Sequence, residues 1–183
     1  MRITYPVAMQ IEGGNSPSIN FYLFMEGFKN QMSKYKLIQL TNENIGAIAA
    51  NTYLPLGKIT RRVNAPTGDT PTFQVATSGA NIVYINDPGF YKVTYTGTFT
   101  AAAAGDLAVS LVSNSENIYT MSETVAAAED LVNMTLVYTI RVCPNTCSTP
   151  FNSPVSIELL LGDVALGITP TPSTSNLIIE RVF

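Results

Sequence analysis

Histidine is absent from this 183-residue chain. Its absence removes the Ser-His-Asp triad, the His-Cys dyad, histidine metal ligands and the commonest general base near neutral pH. Tryptophan is absent too, so the usual stacking surface for a sugar ring is missing. Charged residues make up only 13% of the chain, the net charge is −3, and no long basic run occurs. Clustered Lys and Arg able to displace phosphate counterions are therefore lacking, and no nucleic-acid partner is expected. No stretch approaches the roughly 18 apolar residues of a membrane span, and Met1 to Val7 has no apolar core of a secretory signal. The chain is expected to be soluble, to have no membrane partner and no cofactor, and not to be an enzyme.

Cysteine is scarce as well. Cys143 and Cys147 stand in Arg-Val-Cys-Pro-Asn-Thr-Cys, where a turn centred on Pro144 and Asn145 brings them within reach of a disulfide. The spacing leaves open that bond or two free thiols. A Cys-x3-Cys pair alone is a poor zinc site, since tetrahedral zinc needs four ligands or three plus water. Carboxylates are few, and neither Glu129-Asp130 nor Asp163 has the spacing of a calcium loop, so solvated turn residues are expected there. Gly13-Gly14-Asn15 is not followed by Gly-Lys-Ser/Thr and reads as a loop. Arg61 and Arg62, adjacent on a strand, face opposite ways and do not make an anion patch.

What the chain does have is alternation, and 46% hydrophobic residues are enough for one well-buried core. From Pro88-Gly89 a turn opens into a strand with Tyr91, Val93, Tyr95 and Phe99 on one face and Lys92, Thr94, Thr96, Thr98 and Thr100 on the other. Val132, Met134, Leu136, Tyr138, Ile140 and Val142 form a second core face, opposed by Leu131, Asn133, Thr135, Val137, Thr139 and Arg141. Further strands are expected at 56–63, 72–77, 81–85, 107–113, 118–125, 155–161 and 173–183, separated by Gly, Pro, Asn and Asp clusters. Nine short strands at this spacing predict an all-β antiparallel sandwich or jelly roll. The aromatics Tyr84, Phe90, Tyr91, Tyr95, Phe99, Tyr119 and Tyr138 are spread over several strands and read as core. Ala101 to Asp106 and Val125 to Glu129 are small-residue tips that suit close contact with a partner or plain connection.

Residues 1–53 have a less regular texture. Phe28, Met32 and Tyr35 have helical spacing, while Lys36 to Thr41 reads better as a strand. This part is slightly basic and the remainder acidic, which suits an attachment segment at 1–53 and a head at 54–183. The final strand, Leu177 to Phe183, is apolar on both faces. Leu177, Ile179 and Phe183 are therefore candidates for contact with another subunit.

At Gly89-Phe90-Tyr91-Lys92-Val93 the sequence resembles the Gly-x-Tyr-x-Val strand of the complement-q and tumour-necrosis-factor-like jelly-roll heads. The resemblance covers about 54–183 and implies a compact homotrimer around a threefold axis, used for display and binding. Ile140-Arg141-Val142-Cys143 is similar to a strand end in bacterial and phage members of that group. This likeness implies a structural protein on the surface of a phage particle, a head fibre or capsid decoration, docked to the capsid or another virion protein. The alternative is a receptor- or carbohydrate-binding head of a phage tail or bacterial surface structure, with a host-surface glycan as partner.

Overall fold

Side-chain alternation in the strand after Gly89 decides the layering. Tyr91, Val93 and Phe99 are each 0% exposed, whereas the intervening Lys92, Thr94, Thr96, Thr98 and Thr100 stay half-buried on the opposite side. One face of this strand is thus sealed into a core and the other is left for solvent or a partner. In a computed structural model describing residues 35–43, 46–63, 71–76, 81–144, 151–162, 168–171 and 174–182, eleven strands build two antiparallel sheets. They are β1 Leu37–Asn42, β2 Lys58–Val63, β3 Phe73–Val75, β4 Val83–Ile85, β5 Gly89–Ala101, β6 Gly105–Ser113, β7 Glu116–Val125, β8 Leu131–Val142, β9 Val155–Leu161, β10 Ile168–Pro170 and β11 Ser175–Arg181. No helix occurs among the described residues.

The larger sheet runs β2-β1-β11-β5-β8, and the short β10 pairs with β5 at Phe99 to Ala101, past the stretch of β5 that β11 occupies. The other sheet runs β3-β4-β9-β6-β7. Apolar side chains from the inner faces interlock between them, with Ile38, Leu40, Leu136, Ile140, Leu111 and Ile157 among the fully buried ones. Each edge of the sandwich is bridged. On one side Arg62 of β2 donates through Nη2 to the Phe73 carbonyl of β3 at 3.1 Å. On the other, Tyr119 of β7 and Tyr138 of β8 stack with centroids 5.4 Å apart.

The expected all-β antiparallel jelly roll is present. Val132, Met134, Leu136, Ile140 and Val142 are buried and Tyr138 is half-buried, while Leu131, Asn133, Thr135, Val137, Thr139 and Arg141 are exposed, as the alternation in β8 predicts. The β6–β7 hairpin turns at Asn114 and Ser115, both with positive φ (46° and 68°), the two-residue geometry that matches strand twist. Two differences stand out. β10 is only three residues long and carries no readable period. More important, β1 belongs to the head: it pairs with both β11 and β2, and the chain divides at Lys34/Tyr35. The boundary at 53/54 is thereby replaced. In Leu37-Ile38-Gln39-Leu40 three of four residues are apolar, which hides a period of two, and the segment after β1 is held by Ile48 pairing with Ile168 and Leu54 donating to Leu159.

Gly97 sits on the buried face of β5 between Tyr95 and Phe99, whose rings stack at 6.4 Å. A Cβ there would lie 2.5 Å from Phe99 Cζ and 3.0 Å from the Tyr95 hydroxyl. The glycine is the space into which the two rings fold. Gly97→Val is expected to lower unfolding stability by about 1–3 kcal/mol through overpacking, read as a shifted guanidinium midpoint at unchanged slope. A midpoint equal to that of the parent chain would show that the rings do not need this gap.

Candidate functional site

Residues directly opposite each other in antiparallel strands share a face, so the register reads out the outward surface of the larger sheet row by row. One row is Val137, Thr94, Ile178, Gln39 and Arg61; the next is Thr135, Thr96, Asn176 and Thr41. Thr139, Lys92 and Glu180 form a third, and Asn133 with Thr98 a fourth. Apart from Arg61 and Lys58 at the β2 margin, the latter opposite Thr41, the charges in these rows are Lys92 and Glu180, which pair with each other at 3.4 Å. The centre of the face is a neutral band of threonine, valine, isoleucine and asparagine.

Two threonines of this band bond sideways within the sheet. Thr41 Oγ1 donates to Asn176 Oδ1 at 2.7 Å and lies 3.2 Å from Thr60 Oγ1, while Thr98 Oγ1 donates to Asn133 Oδ1 at 2.7 Å. A hydroxyl already bonded within the sheet loses less when water is removed, because the cost of burying a polar group falls mainly on unpaired ones. The neighbouring methyls then face outward. Around the band lie exposed apolar side chains: Leu131 at 68%, Val137 at 49% and Phe90 at 42%, the last with the Arg141 guanidinium 5.9 Å from its ring centre. This combination suits contact with a protein surface.

Leu177 and Ile179, the expected interface residues, lie elsewhere. They are 1% and 0% exposed and belong to the core, so the outward apolar residue of β11 is Ile178. The sequence signal was available in the alternation of β11, but Ile178 and Ile179 are identical in type, and apolar residues on both faces conceal which set points inward. Phe183 lies outside the described residues, as do Cys147, Asp163 and Gly13 to Asn15. Cys143 is buried and disulfide-bonded, and its backbone bonds both ways to the returning chain at Phe151 and Ser153.

Chemistry is sparse. Among the described residues no three His, Cys, Asp or Glu side chains converge on a metal-sized site. Asp130 accepts from the Ala127 amide at 2.8 Å, as a turn residue does, and Glu129 is exposed. Arg61 and Arg62 point to opposite faces, as expected on a strand. Tyr91, Tyr95 and Phe99 are core residues, but Phe90 and Tyr119 are exposed. An open cleft of about 450 Å³ at the β7–β8 end is lined by Glu123, Thr124, Asp130, Leu131 and Asn133, and its Thr124 hydroxyl donates to Asp106 Oδ1 at 2.8 Å.

The densest polar cluster is Lys36, Thr72 and Asp87. Lys36 Nζ pairs with the Asp87 carboxylate and donates to Thr72 Oγ1 at 2.8 Å, and Thr72 donates to Asp87 Oδ2 at 2.6 Å. Tyr91 donates to the Asp87 carbonyl at 2.9 Å, and burial pushes its phenol up to about 12, keeping it a donor. Every polar group here has its partner within the cluster, which straps the entry of β1 to the turn before β5.

No family model matches this chain, and no curated protein matches it by sequence. Solved structures do. Eiger TNF from S. frugiperda is similar with a TM-score of 0.61 at 8% identity, over 81% of this chain and 92% of that one. Murine APRIL at pH 5.0 matches with a TM-score of 0.57 at 9% identity, over 81% of this chain and 100% of that one. The globular domain of zebrafish complement 1qA gives a TM-score of 0.53 at 8% identity, over 81% and 98%. The architecture is therefore a two-sheet jelly roll with one neutral outward face. More narrowly, the fold is that of the tumour-necrosis-factor and complement-q-like heads, the group whose short strand signature Gly89 to Val93 resembles.

Burial pushes the Asp87 carboxyl up, but hydrogen bonds from Lys36 and Thr72 and the charges of Lys36 and Arg181 outweigh it and hold the group below the ordinary aspartate range. A depressed folded-state value contributes stability that is full above the unfolded value near 3.9 and is lost as pH falls through the folded one. Asp87→Asn is expected to cost about 1 kcal/mol at pH 7, the partial exposure of the pair limiting its worth. The gap from the parent chain should close as pH falls below about 4. A gap that stays constant to pH 2.5 in thermal melts would show that the carboxylate is not the stabilising species.

Proposed function

We propose that this chain is a non-enzymatic jelly-roll head that assembles as a homotrimer through the outward face of its larger sheet and is mounted on the surface of a phage particle. The observation that carries the trimer is the neutral band itself. Val137, Thr94, Ile178 and Gln39 lie side by side across four strands, with the nearby Thr41 and Thr98 hydroxyls bonded within the sheet. Such a face tolerates water and loses little when water leaves it. The likeness of fold to tumour-necrosis-factor and complement-q heads supports a threefold arrangement.

The virion reading rests on composition and on the sequence likeness already described. Only 13% of residues are charged, the strands are rich in Thr, Ala and Val, and Ile140-Arg141-Val142-Cys143 is similar to phage members of the group. In this reading the residues before Tyr35 supply the attachment to the capsid or another virion protein, and the head is displayed outward. Display and binding then need no reacting side chain, in keeping with a chain that has no histidine.

Light scattering at micromolar concentration is expected to give three times the 19.7 kDa chain mass. Ile178→Glu, placing a charge at the centre of the band on a side chain outside the core, should yield a folded monomer with unchanged far-ultraviolet circular dichroism. A monomeric parent chain would refute the assembly. Mass spectrometry of purified particles tests the mounting: the chain should be a component in a multiple of three copies, and its absence from particles would refute the virion assignment.

A further inference from the structure

The two long edges of the sandwich carry opposite charge. Between Lys92 and Arg141 the chain has no Lys or Arg, and the acids of that stretch all lie on or beside β7: Asp106 of β6 faces Thr124, Glu116 and Glu123 are exposed on β7, and Glu129 and Asp130 follow it, against the single exposed cation Arg141 on the neighbouring β8. The opposite margin is β2, where Lys58, Arg61 and Arg62 are exposed. Arg62 is committed to the Phe73 carbonyl, whereas Arg61 and Lys58 stand on the outward face in register with Gln39 and Thr41. Lys58 also meets Glu43 at 2.8 Å, an exposed pair that leaves the margin net positive.

The larger sheet from β2 to β8 spans four spacings of roughly 4.8 Å, about 19 Å, and β7 lies beyond it in the facing sheet. The screening length at physiological salt is about 8 Å. The two edges therefore do not neutralise each other within one protomer, and each presents its own sign to a neighbour. An isologous contact through either edge would set like charges together. A head-to-tail contact sets opposite charges together, and head-to-tail contacts are the ones that close a ring.

We propose that, within the homotrimer, the acidic β7 edge of one protomer meets the basic β2 margin of the next, so that charge selects the head-to-tail order in which copies join. This rests on the trimer reading above and adds to it the direction of assembly. The neutral band supplies the affinity. Exposed ion pairs are individually worth little, and their effect falls on approach and on the choice among competing contacts. The occupant of both edges is a second copy of this chain, because the two sets of side chains complement each other in sign.

Full-length protein should be followed by sedimentation velocity and by the rate of subunit exchange at low and high NaCl. Four chains are compared: the parent, Lys58→Glu with Arg61→Glu, Glu116→Lys with Glu123→Lys, and the chain with all four changes. Each double reversal is expected to weaken or slow trimer assembly by about tenfold at low salt, with the difference shrinking as salt screens it. The four-change chain restores opposite signs at every junction and should assemble as the parent does. Trimers indifferent to both reversals would overturn the proposal while leaving the trimer intact. A four-change chain no better than the doubles would also overturn it. A parent chain that is monomeric at every concentration would instead remove the trimer reading on which the proposal stands.

Discussion

β5 is held on both sides, and the rest of the head is arranged around that fact. It is hydrogen-bonded to β8 from Gly89 opposite Val142 to Thr100 opposite Leu131, and to β11 and β10 on its other side. A slip of one residue in either ladder would turn Tyr91, Val93, Tyr95 and Phe99 out to water and bring Lys92 and a run of threonines into the core. The register therefore has one acceptable value. Once it is set, the positions of β11, β1 and β2 follow outward, lane by lane, and the rows of the outward face follow with them.

How far such a structure can be read without coordinates depends on how well each strand separates its two faces. β5 and β8 alternate cleanly between large apolar and polar or small residues, so their buried sets were legible. β1 and β11 do not. Leu37-Ile38-Gln39-Leu40 and Leu177-Ile178-Ile179 place branched apolar side chains on consecutive positions, and only pairing with neighbours says which of them point inward. That ambiguity moved the head boundary from 53/54 to 34/35 and moved the apolar contact on β11 from Leu177 and Ile179 to Ile178. β10, three residues ending in proline, lies below the length at which any period exists.

The surface was legible only in part, for a related reason. Single strands show which residues face outward, yet a face is made by lateral neighbours that are distant in sequence. Thr94 lies beside both Val137 and Ile178, and Thr41 bonds Asn176 across 135 positions of chain. The polarity between edges is similarly spread, with its basic part in β2 and its acidic part around β7. The mild imbalance between residues 1–53 and the remainder does not announce it, because Lys58, Arg61 and Arg62 of the basic margin fall within the acidic remainder. The Lys36-Thr72-Asp87 cluster likewise depends on three segments meeting, with a half-buried lysine that no local motif announces.

The sideways bonding of the threonines has a consequence for the life of a single protomer. A sheet face of leucines would drive newly made chains together in any register and orientation before their proper contacts could form. Here threonine and asparagine take the place of leucine, with Thr41 and Thr98 bonded to Asn176 and Asn133, so an isolated copy is readily wetted. In the proposed trimer the same surface serves two media in succession, water first and a neighbouring chain afterwards. Patience of this kind lets a chain be made well before it is used, because a protomer that can wait in water does not have to meet its neighbour at once.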